Sequence, residues 1–562
     1  MRTHQDRLGL VGIGFVEYPK IMKRQIPFLP GERSIRILWA PFTACALTFG
    51  LLLCAFPPRQ TPETAYFFLI PALWWLSYRP SYKSVLLAFL FFGWLYYLTL
   101  LWWLRHVTFS GLSLGSLLLS GYLAIWFLFA RWLIPHGLEG RFGTRMLVML
   151  SLASAWTAIE WARSQFALGF PWCPLSVSQW QRPAVLQISE WTGGWAISFF
   201  LVFFNLCTAS YLHHLLVRRR KTIRTGIAGN MCPDFYVGLA FIVVMLSPIL
   251  FSPPSHHDEV PMLRAGFVQP YLLDKWEAGK AARHKDTLRR HSRILATTRP
   301  DVILWPEAST PYAINEDPTW IEDISRRTQL PMIVGAITKS ADPPLSYNSV
   351  CSITPQHGLI PKYYAKRALV PFGEYIPKGF GWIPHLGKLV GPTGRFEPGS
   401  EARTILLDVN STGNTLGVGP LVCYEDIFPD LARETTNQGA DFLFVSTNNA
   451  WFGEEGCAEQ HAAHSVLRAI ENRRPVLRCG NAGWSGWIDE QGVRRSVMRD
   501  ENGSVYFEGA ATFSVSRNSS QINKKTFFSK HENWFVYLCL PFIAIGCFIK
   551  GTKNHSVSTT KD

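Results

Sequence analysis

Charge is scarce in this chain. Only 17% of its 562 residues are Asp, Glu, Lys or Arg, against roughly 25% in ordinary soluble domains. Acid is scarcer than base: 40 Asp and Glu face 55 Lys and Arg, for a formal charge of +15. No Cys-x-x-Cys pair occurs, and the 11 cysteines are odd in number and scattered. That pattern argues against a disulfide framework and against a zinc site. No nucleotide-binding loop, internal repeat or long low-complexity tract is present. The basic excess does not make a nucleic-acid footprint. Much of it lies in short segments between apolar runs, such as Lys20, Lys23 and Arg24 or Arg218-Arg-Arg-Lys221, which is the positive-inside pattern of a membrane protein.

Apolar residues are abundant: 48% of the chain, with 22 Trp and 38 Phe. Crossing a bilayer takes about 20 mostly apolar residues. Seven candidate spans precede residue 255, at 34–56, 64–78, 84–104, 109–134, 146–166, 187–212 and 234–252, and an eighth covers 532–549. The second is short. The first is not expected to be a cleaved signal peptide, because 33 residues with several polar and basic ones precede it and more spans follow. With a cytoplasmic N-terminus, the cytoplasmic loops hold Arg79 and Lys83, then Arg141 and Arg145, then the Arg218–Lys221 cluster with Arg224; the tail adds Lys550, Lys553 and Lys561. Opposite loops hold mostly single arginines, Arg59, Arg105, Arg163 and Arg182. Both termini are therefore expected in the cytoplasm. The expected layout is a cytoplasmic segment 1–33, a seven-helix membrane domain 34–255, an extracytoplasmic catalytic domain 256–520, and a last membrane helix with its tail, 521–562.

The block 258–518 reads as a soluble domain. Strands are predicted at Val302–Trp305, Met332–Ile337, Ser346–Ile353, Thr404–Val409, Gly417–Cys423 and Phe442–Ser446. Helices are predicted at Trp276–Thr297, Asp317–Thr328 and Cys457–Arg474. Such alternation predicts an α/β layered domain and leaves parallel and mixed pairing open.

Cys423 sits in the run Gly419-Pro-Leu-Val-Cys-Tyr-Glu-Asp426, which reads as an apolar strand delivering a thiol beside two acids. A free thiol has a pKa near 8.5 and needs help to attack at neutral pH. Glu307, in Leu304-Trp-Pro-Glu307, could take its proton. Lys366 could stabilise an oxyanion together with the Tyr424 N–H, and Glu374 could orient Lys366 or Glu307. Singly these residues are weak signals: a Cys at a strand end is usually structural, a Glu after Pro usually a cap, a lone Lys usually solvated. His461-Ala-Ala-His464 has metal-ligand spacing on a helix, but with no third ligand motif a packed or capping role is expected and no metal is assigned. Gly111 and Gly115 form one Gly-x-x-x-Gly, a weak helix-packing sign. Phe380-Gly-Trp-Ile-Pro384, in the Gly/Pro-rich stretch 378–399, is expected to form a mobile lid that dips into the interface.

In order, Trp-Pro-Glu307, then Lys366-(x)2-Leu-Val-Pro-Phe-Gly-Glu-Tyr375, then Cys423-Tyr-Glu425 resemble the nitrilase, or carbon–nitrogen hydrolase, superfamily. That resemblance implies a Glu–Lys–Cys triad on an α-β-β-α sandwich. A narrower resemblance, to the apolipoprotein N-acyltransferase family, covers nearly the whole chain. It is carried by Leu168-Gly-Phe-Pro-Trp172 with Ser178-Gln179, Val268-Gln-Pro270 with Trp276, Tyr347-Asn-Ser349, Pro371-Phe-Gly-Glu-Tyr-Ile-Pro377, Ala450-Trp-Phe-Gly453, Gln460-His461, and Arg468-Ala-Ile-Glu471 with Arg474-Pro475. Two positions depart from the pattern: Asn449 stands where Asp is usual, and Cys479 where a small non-thiol residue is common.

The resemblance implies a membrane bundle of about eight helices plus the sandwich domain, in a bacterial inner membrane, with the sandwich in the periplasm. It implies Glu307 as general base, Lys366 as oxyanion amine and Cys423 as nucleophile. Glu374, Tyr424, Glu425 and Asn348 are implied as supporting residues, and Trp276, Trp451 and Phe452 as residues near the substrate. A phospholipid would give its acyl chain to Cys423, and the thioester would pass it to the amine of a diacylglyceryl apolipoprotein. The expected partners are thus a phospholipid, an apolipoprotein and the bilayer, with no cofactor and no nucleic acid, and the protein is expected to be a monomer. Two other readings share parts of these features. A membrane-tethered amidase would use the same triad on a small C–N substrate. A transporter with an inert outer domain would need an intramembrane charge chain, and the sequence offers no clear one, Glu160 beside Arg163 near a span end being the main candidate.

Overall fold

A computed structural model describes residues 30–166, 169–218, 231–251, 259–273, 277, 279–378 and 396–558. Trp276 and most of the predicted lid, residues 379–395, lie outside the described residues.

The membrane half comprises α1 (Pro30–Cys54), α2 (Ile70–Ser77), α3 (Tyr82–Leu100), α4 (Phe109–Glu139), α5 (Phe142–Gln165), α6 (Trp195–His213) and α7 (Pro233–Leu246). Among the described residues, four helices are long and apolar enough to cross a bilayer: Tyr82–Leu100, Phe109–Glu139, Phe142–Gln165 and Trp195–Arg218. Ala40–Cys54, Pro233–Leu246 and Trp534–Ile549 are shorter apolar stretches.

Two predicted spans need correction. The run 64–78 is not one helix: a 3-10 turn, Pro62–Tyr66, precedes α2, whose 8 residues reach only about 12 Å of the roughly 30 Å hydrocarbon core. Asn205 of α6 patches the break. Its Oδ1 accepts from Leu69 N at 2.9 Å and its Nδ2 donates to Ala65 O at 2.9 Å, so backbone groups freed in an apolar bundle are paired. The run 187–212 starts late, at Trp195 after Gly193 and Gly194, because Gln187 and Glu190 are bonded to Arg473 of the sandwich. Among the described residues, neither Gly111 nor Gly115 receives a neighbouring helix; the close approach of α3 to α4 is instead at Gly93, where an added Cβ would lie 3.1 Å from Ser120 Cβ.

The sandwich has two mixed sheets. Strands β1 (Glu259–Gln269), β2 (Val302–Trp305), β3 (Met332–Lys339), β4 (Ser346–Thr354), β5 (Gly358–Leu359) and β6 (Tyr364–Ala365) form one sheet with β13 (Gly509–Asn518). Strands β7 (Ile405–Val409), β8 (Asn414–Val422), β9 (Phe442–Thr447), β10 (Val476–Gly480), β11 (Gly486–Ile488) and β12 (Arg494–Val497) form the other. The central pairs β1–β2–β3 and β8–β9–β10 are parallel and the flanks antiparallel. Period-2 alternation sorts each strand between two layers. Leu304, Ile333, Val418, Val422, Phe442 and Phe444 face the other sheet, while Trp305 and Val334 face α8 (Ala281–Thr297) and α9 (Thr319–Thr328).

The outer face of the second sheet is different. Leu421, Leu443, Val445 and Val476 join α10 (Pro429–Asn437), α11 (Cys457–Asn472) and the membrane helices in one apolar core. Every residue of α11 except Glu459 is buried. A helix in a soluble sandwich would wet one side; here the bundle covers it. Gln460 is the polar centre of that seam: its Oε1 accepts from Trp103 Nε1 at 3.0 Å and Trp172 Nε1 at 2.9 Å, and its Nε2 donates to Pro57 O and Leu100 O, both at 3.0 Å. The last helix, α12 (Trp534–Ser558), returns to pack on α5.

Gln460→Leu strips partners from two indole N–H groups and two carbonyls, each costing about 1–3 kcal/mol when left unpaired. The expected result is a clear fall in the thermal unfolding midpoint in detergent. An unchanged midpoint would contradict the role of this seam.

Candidate active site

Three strand ends meet at one point. Glu307 follows β2, Lys366 follows β6, and Cys423 follows β8. The structure thus brings together the three residues the sequence singled out. Val422 sits beside Ser446 in the parallel β8–β9 register, so the thiol lies next to Thr447, whose hydroxyl donates to Cys423 Sγ at 3.3 Å. Across the gap between sheets, Gly335 of β3 leaves room for the Glu307 turn. An added Cβ there would press on the Ser446 hydroxyl, 2.5 Å from Pro306 O and 2.7 Å from Glu307 Cα.

Lys366 is buried, at 1% exposure. Its Nζ lies 2.9 Å from Glu374 Oε2 and 3.6 Å from Glu307 Oε1. Asn348 bridges the two acids: its Nδ2 donates to Glu307 Oε1 at 2.7 Å and to Glu374 Oε1 at 2.9 Å. Val370 N also donates to Glu374 Oε2 at 2.8 Å. Glu374 therefore orients both Lys366 and, through Asn348, Glu307. Burial alone would make the ammonium less stable, but the Glu374 and Glu307 charges outweigh it and hold the amine above its usual range.

Cys423 is half-buried and sits at φ 50, a left-handed conformation that costs a non-glycine residue about 1–3 kcal/mol. Its surroundings are dense. Burial, and then the Glu307 charge, push the thiol up to about 12, with Lys366 opposing. At rest the sulfur is therefore protonated, and it can act as a nucleophile only if a neighbouring group takes that proton.

Glu425 does not face the site; it clamps it from behind. Its carboxylate accepts from Val422 N at 2.7 Å, Arg367 N at 2.6 Å, Ala368 N at 3.2 Å and the Tyr364 hydroxyl at 2.9 Å. One carboxylate thereby joins the strand bearing Cys423 to the segment bearing Lys366. The Tyr424 hydroxyl donates to Gly169 O at 2.7 Å, fastening the thiol turn to the membrane half. The Phe452 ring stands edge-on to Trp103 at 4.7 Å, whereas Trp451 is 41% exposed.

Sequence reasoning counted Asp426 as the second of the two acids after Cys423 but gave it no role. Burial works against its ionisation, but His461 and Arg478 outweigh that and hold the carboxyl well below the usual carboxylate range. His461 and His464 have packed roles: His461 Nε2 lies 2.7 Å from Asp426 Oδ1, and His464 Nε2 accepts from Cys173 N at 3.3 Å. Asn449 Nδ2 reaches His461 Nδ1 at 3.4 Å and Cys457 Sγ at 3.7 Å. The Cys479 thiol is buried against Val268 O and Leu304 O, and burial raises its pKa.

Comparison with known proteins matches both halves. Residues 50–207 match the apolipoprotein N-acyltransferase N-terminal domain, and residues 270–511 match carbon-nitrogen hydrolase. An apolipoprotein N-acyltransferase of Geobacter metallireducens is 27% identical over 90% of this chain and 94% of its own. The crystal structure of a carbon-nitrogen hydrolase from Helicobacter pylori is 16% identical, covers 52% of this chain and 96% of its own, and superposes with a TM-score of 0.34. An apolipoprotein N-acyltransferase of Allorhizobium ampelinum is 30% identical over 81% of this chain and 88% of its own. Identity at that level, running through both the membrane half and the thiol-bearing sandwich, makes this chain a member of the apolipoprotein N-acyltransferase family.

Proposed function

We propose that the protein N-acylates the N-terminal S-diacylglyceryl-cysteine of apolipoproteins, the final step of bacterial lipoprotein maturation, using a phospholipid as donor and a Cys423 thioester as intermediate. The observation that carries this reading is the Lys366 ammonium held 2.9 Å from Glu374 and 3.6 Å from Glu307, in a sandwich whose Cys423 turn is bonded to the membrane half.

Glu307 takes the Cys423 proton as sulfur attacks the phospholipid ester carbonyl. The Lys366 ammonium and the Tyr424 N–H stabilise the oxyanion. The tetrahedral adduct collapses, the C–O bond breaks, and the lysophospholipid oxygen leaves with the proton from Glu307. The acceptor's amino group then attacks the thioester carbonyl. Its proton passes through Glu307 to the departing sulfur, giving an amide and the free thiol. Net charge in the buried site is conserved at each transfer: when Glu307 gains the proton, sulfur or the oxyanion carries the negative charge. Glu374, Asn348 and Glu425 keep the three groups in register. Trp451 and Phe452 are proposed to line the substrate path, and Trp276 to join them.

Both substrates carry acyl chains that gain about 0.8 kcal/mol per buried CH₂, which is the physical reason to build a thiol site on a membrane bundle. We assign eight crossings, one of them the broken 62–77 segment, with both termini in the cytoplasm of a bacterial inner membrane, residues 256–520 in the periplasm, and a monomer as the working unit. In support, Gln60, Arg105 and Gln165 meet the sandwich, while Arg79 pairs with Glu139 and Arg145 with Asp234, at the opposite ends of α4 and α5.

Incubation with a phospholipid carrying a labelled acyl chain, without acceptor, is expected to label Cys423 through a hydroxylamine-sensitive bond. Cys423→Ala abolishes the label, and Glu307→Gln slows it about 100-fold or more. A wild-type protein that stays unlabelled yet turns over small amides would overturn the reading in favour of an amidase. Gly335→Ala, which displaces Glu307 without touching a reacting group, is expected to slow labelling about 100-fold; labelling at the wild-type rate would show that the Glu307 position is not critical.

A further inference from the structure

The Cys423 carbonyl and the Tyr424 N–H belong to one planar peptide and point in opposite directions. Whatever holds the carbonyl therefore aims the N–H. The carbonyl is held by His461, whose Nε2 donates to it at 3.0 Å. The same nitrogen lies 2.7 Å from Asp426 Oδ1. Facing two oxygen acceptors, Nε2 carries the hydrogen.

The imidazole is fixed on its other sides as well. His461 is 2% exposed. Asp426 is anchored by the Ser465 hydroxyl at 2.6 Å and by Arg478 of β10. Asn449 lies at Nδ1. The Trp172 ring, from the membrane half, packs 5.4 Å from the imidazole, and its indole N–H is tied to Gln460, one residue before His461. A rigid chain thus runs from Arg478 through Asp426 and His461 to the carbonyl of a residue strained at φ 50.

We propose that His461 is a positioning residue of the acyl-transfer site: its Nε2–H pins the Cys423 carbonyl, which holds the left-handed turn and points the Tyr424 N–H at the developing oxyanion. This rests on Cys423 being the nucleophile. The Trp172 contact makes the bundle part of the same brace, so that docking of the two halves and alignment of the oxyanion donor are one event.

The test compares His461→Gln, which can place an amide N–H near the Nε2 position, with His461→Asn, which is one methylene too short. Acylation of Cys423 is read as the p-nitrophenol burst from p-nitrophenyl butyrate. Alkylation of the same thiol by iodoacetamide, which forms no oxyanion, is followed on the Cys423 peptide by mass spectrometry. Thermal midpoints in detergent are recorded alongside. His461→Asn is expected to lose about 100-fold in burst rate, the scale of one oxyanion donor, with alkylation changed less than about tenfold, while His461→Gln recovers most of the burst. A wild-type burst rate in His461→Asn would overturn the proposal. So would equal losses of burst, alkylation and midpoint in both variants, which mark a purely structural histidine. A wild type that reacts with the ester and never with phospholipid refutes the proposed donor, while the ester burst still decides the role of His461.

Discussion

A buried ammonium sets the terms for the rest of this protein. Moving an isolated charge out of water costs far more than a folded domain can spare, so Lys366 persists only because Glu374 and Glu307 flank it. Those acids in turn need Asn348 and Val370 N to stay in place. The requirement spreads outward. The two carboxylates must sit on elements from different parts of the first sheet, Cys423 must come from the second, and Glu425 must bond both sides at once. Two facing sheets satisfy all of these contacts together.

The membrane half completes this arrangement rather than carrying it as an anchor. The helix behind the Cys423 strand, α11, shares one apolar core with the bundle, and Gln460 spends its whole amide on bundle partners. Tyr424, adjacent to the thiol, is bonded to Gly169 O. The same chemistry on a soluble sandwich would leave this face wet, and a thioester must outlast water long enough to meet a second lipid-bearing substrate.

The three proposed reacting groups were legible because each stands in a local signature: Glu307 after Trp-Pro, Lys366 eight residues before Glu374, Cys423 at the end of an apolar run. The strands before Glu307 and Cys423 were legible for the same reason, being short runs buried on both faces, whereas β6, the two-residue strand before Lys366, was too short to leave a pattern. Strands β1 and β13 were not, since Arg264 and the Ser/Thr/Ala content of β13 blur any run, and their pairing joins residues about 250 apart. The break in the 64–78 segment was invisible because hydropathy averages over a turn whose polar backbone is satisfied by Asn205, far along the chain. Arg478 and the work of Asp426 and His461 were missed alike: a helical His pair carries no sign of which carbonyl it will meet.

The central claim is that this buried site transfers its acyl group and does not hydrolyse it. The most direct measurement is lysophospholipid release from phospholipid with no amine acceptor present. The account predicts one equivalent per Cys423 followed by a plateau, with release resuming when a diacylglyceryl-cysteinyl peptide is added. Steady release at an undiminished rate without acceptor would contradict it.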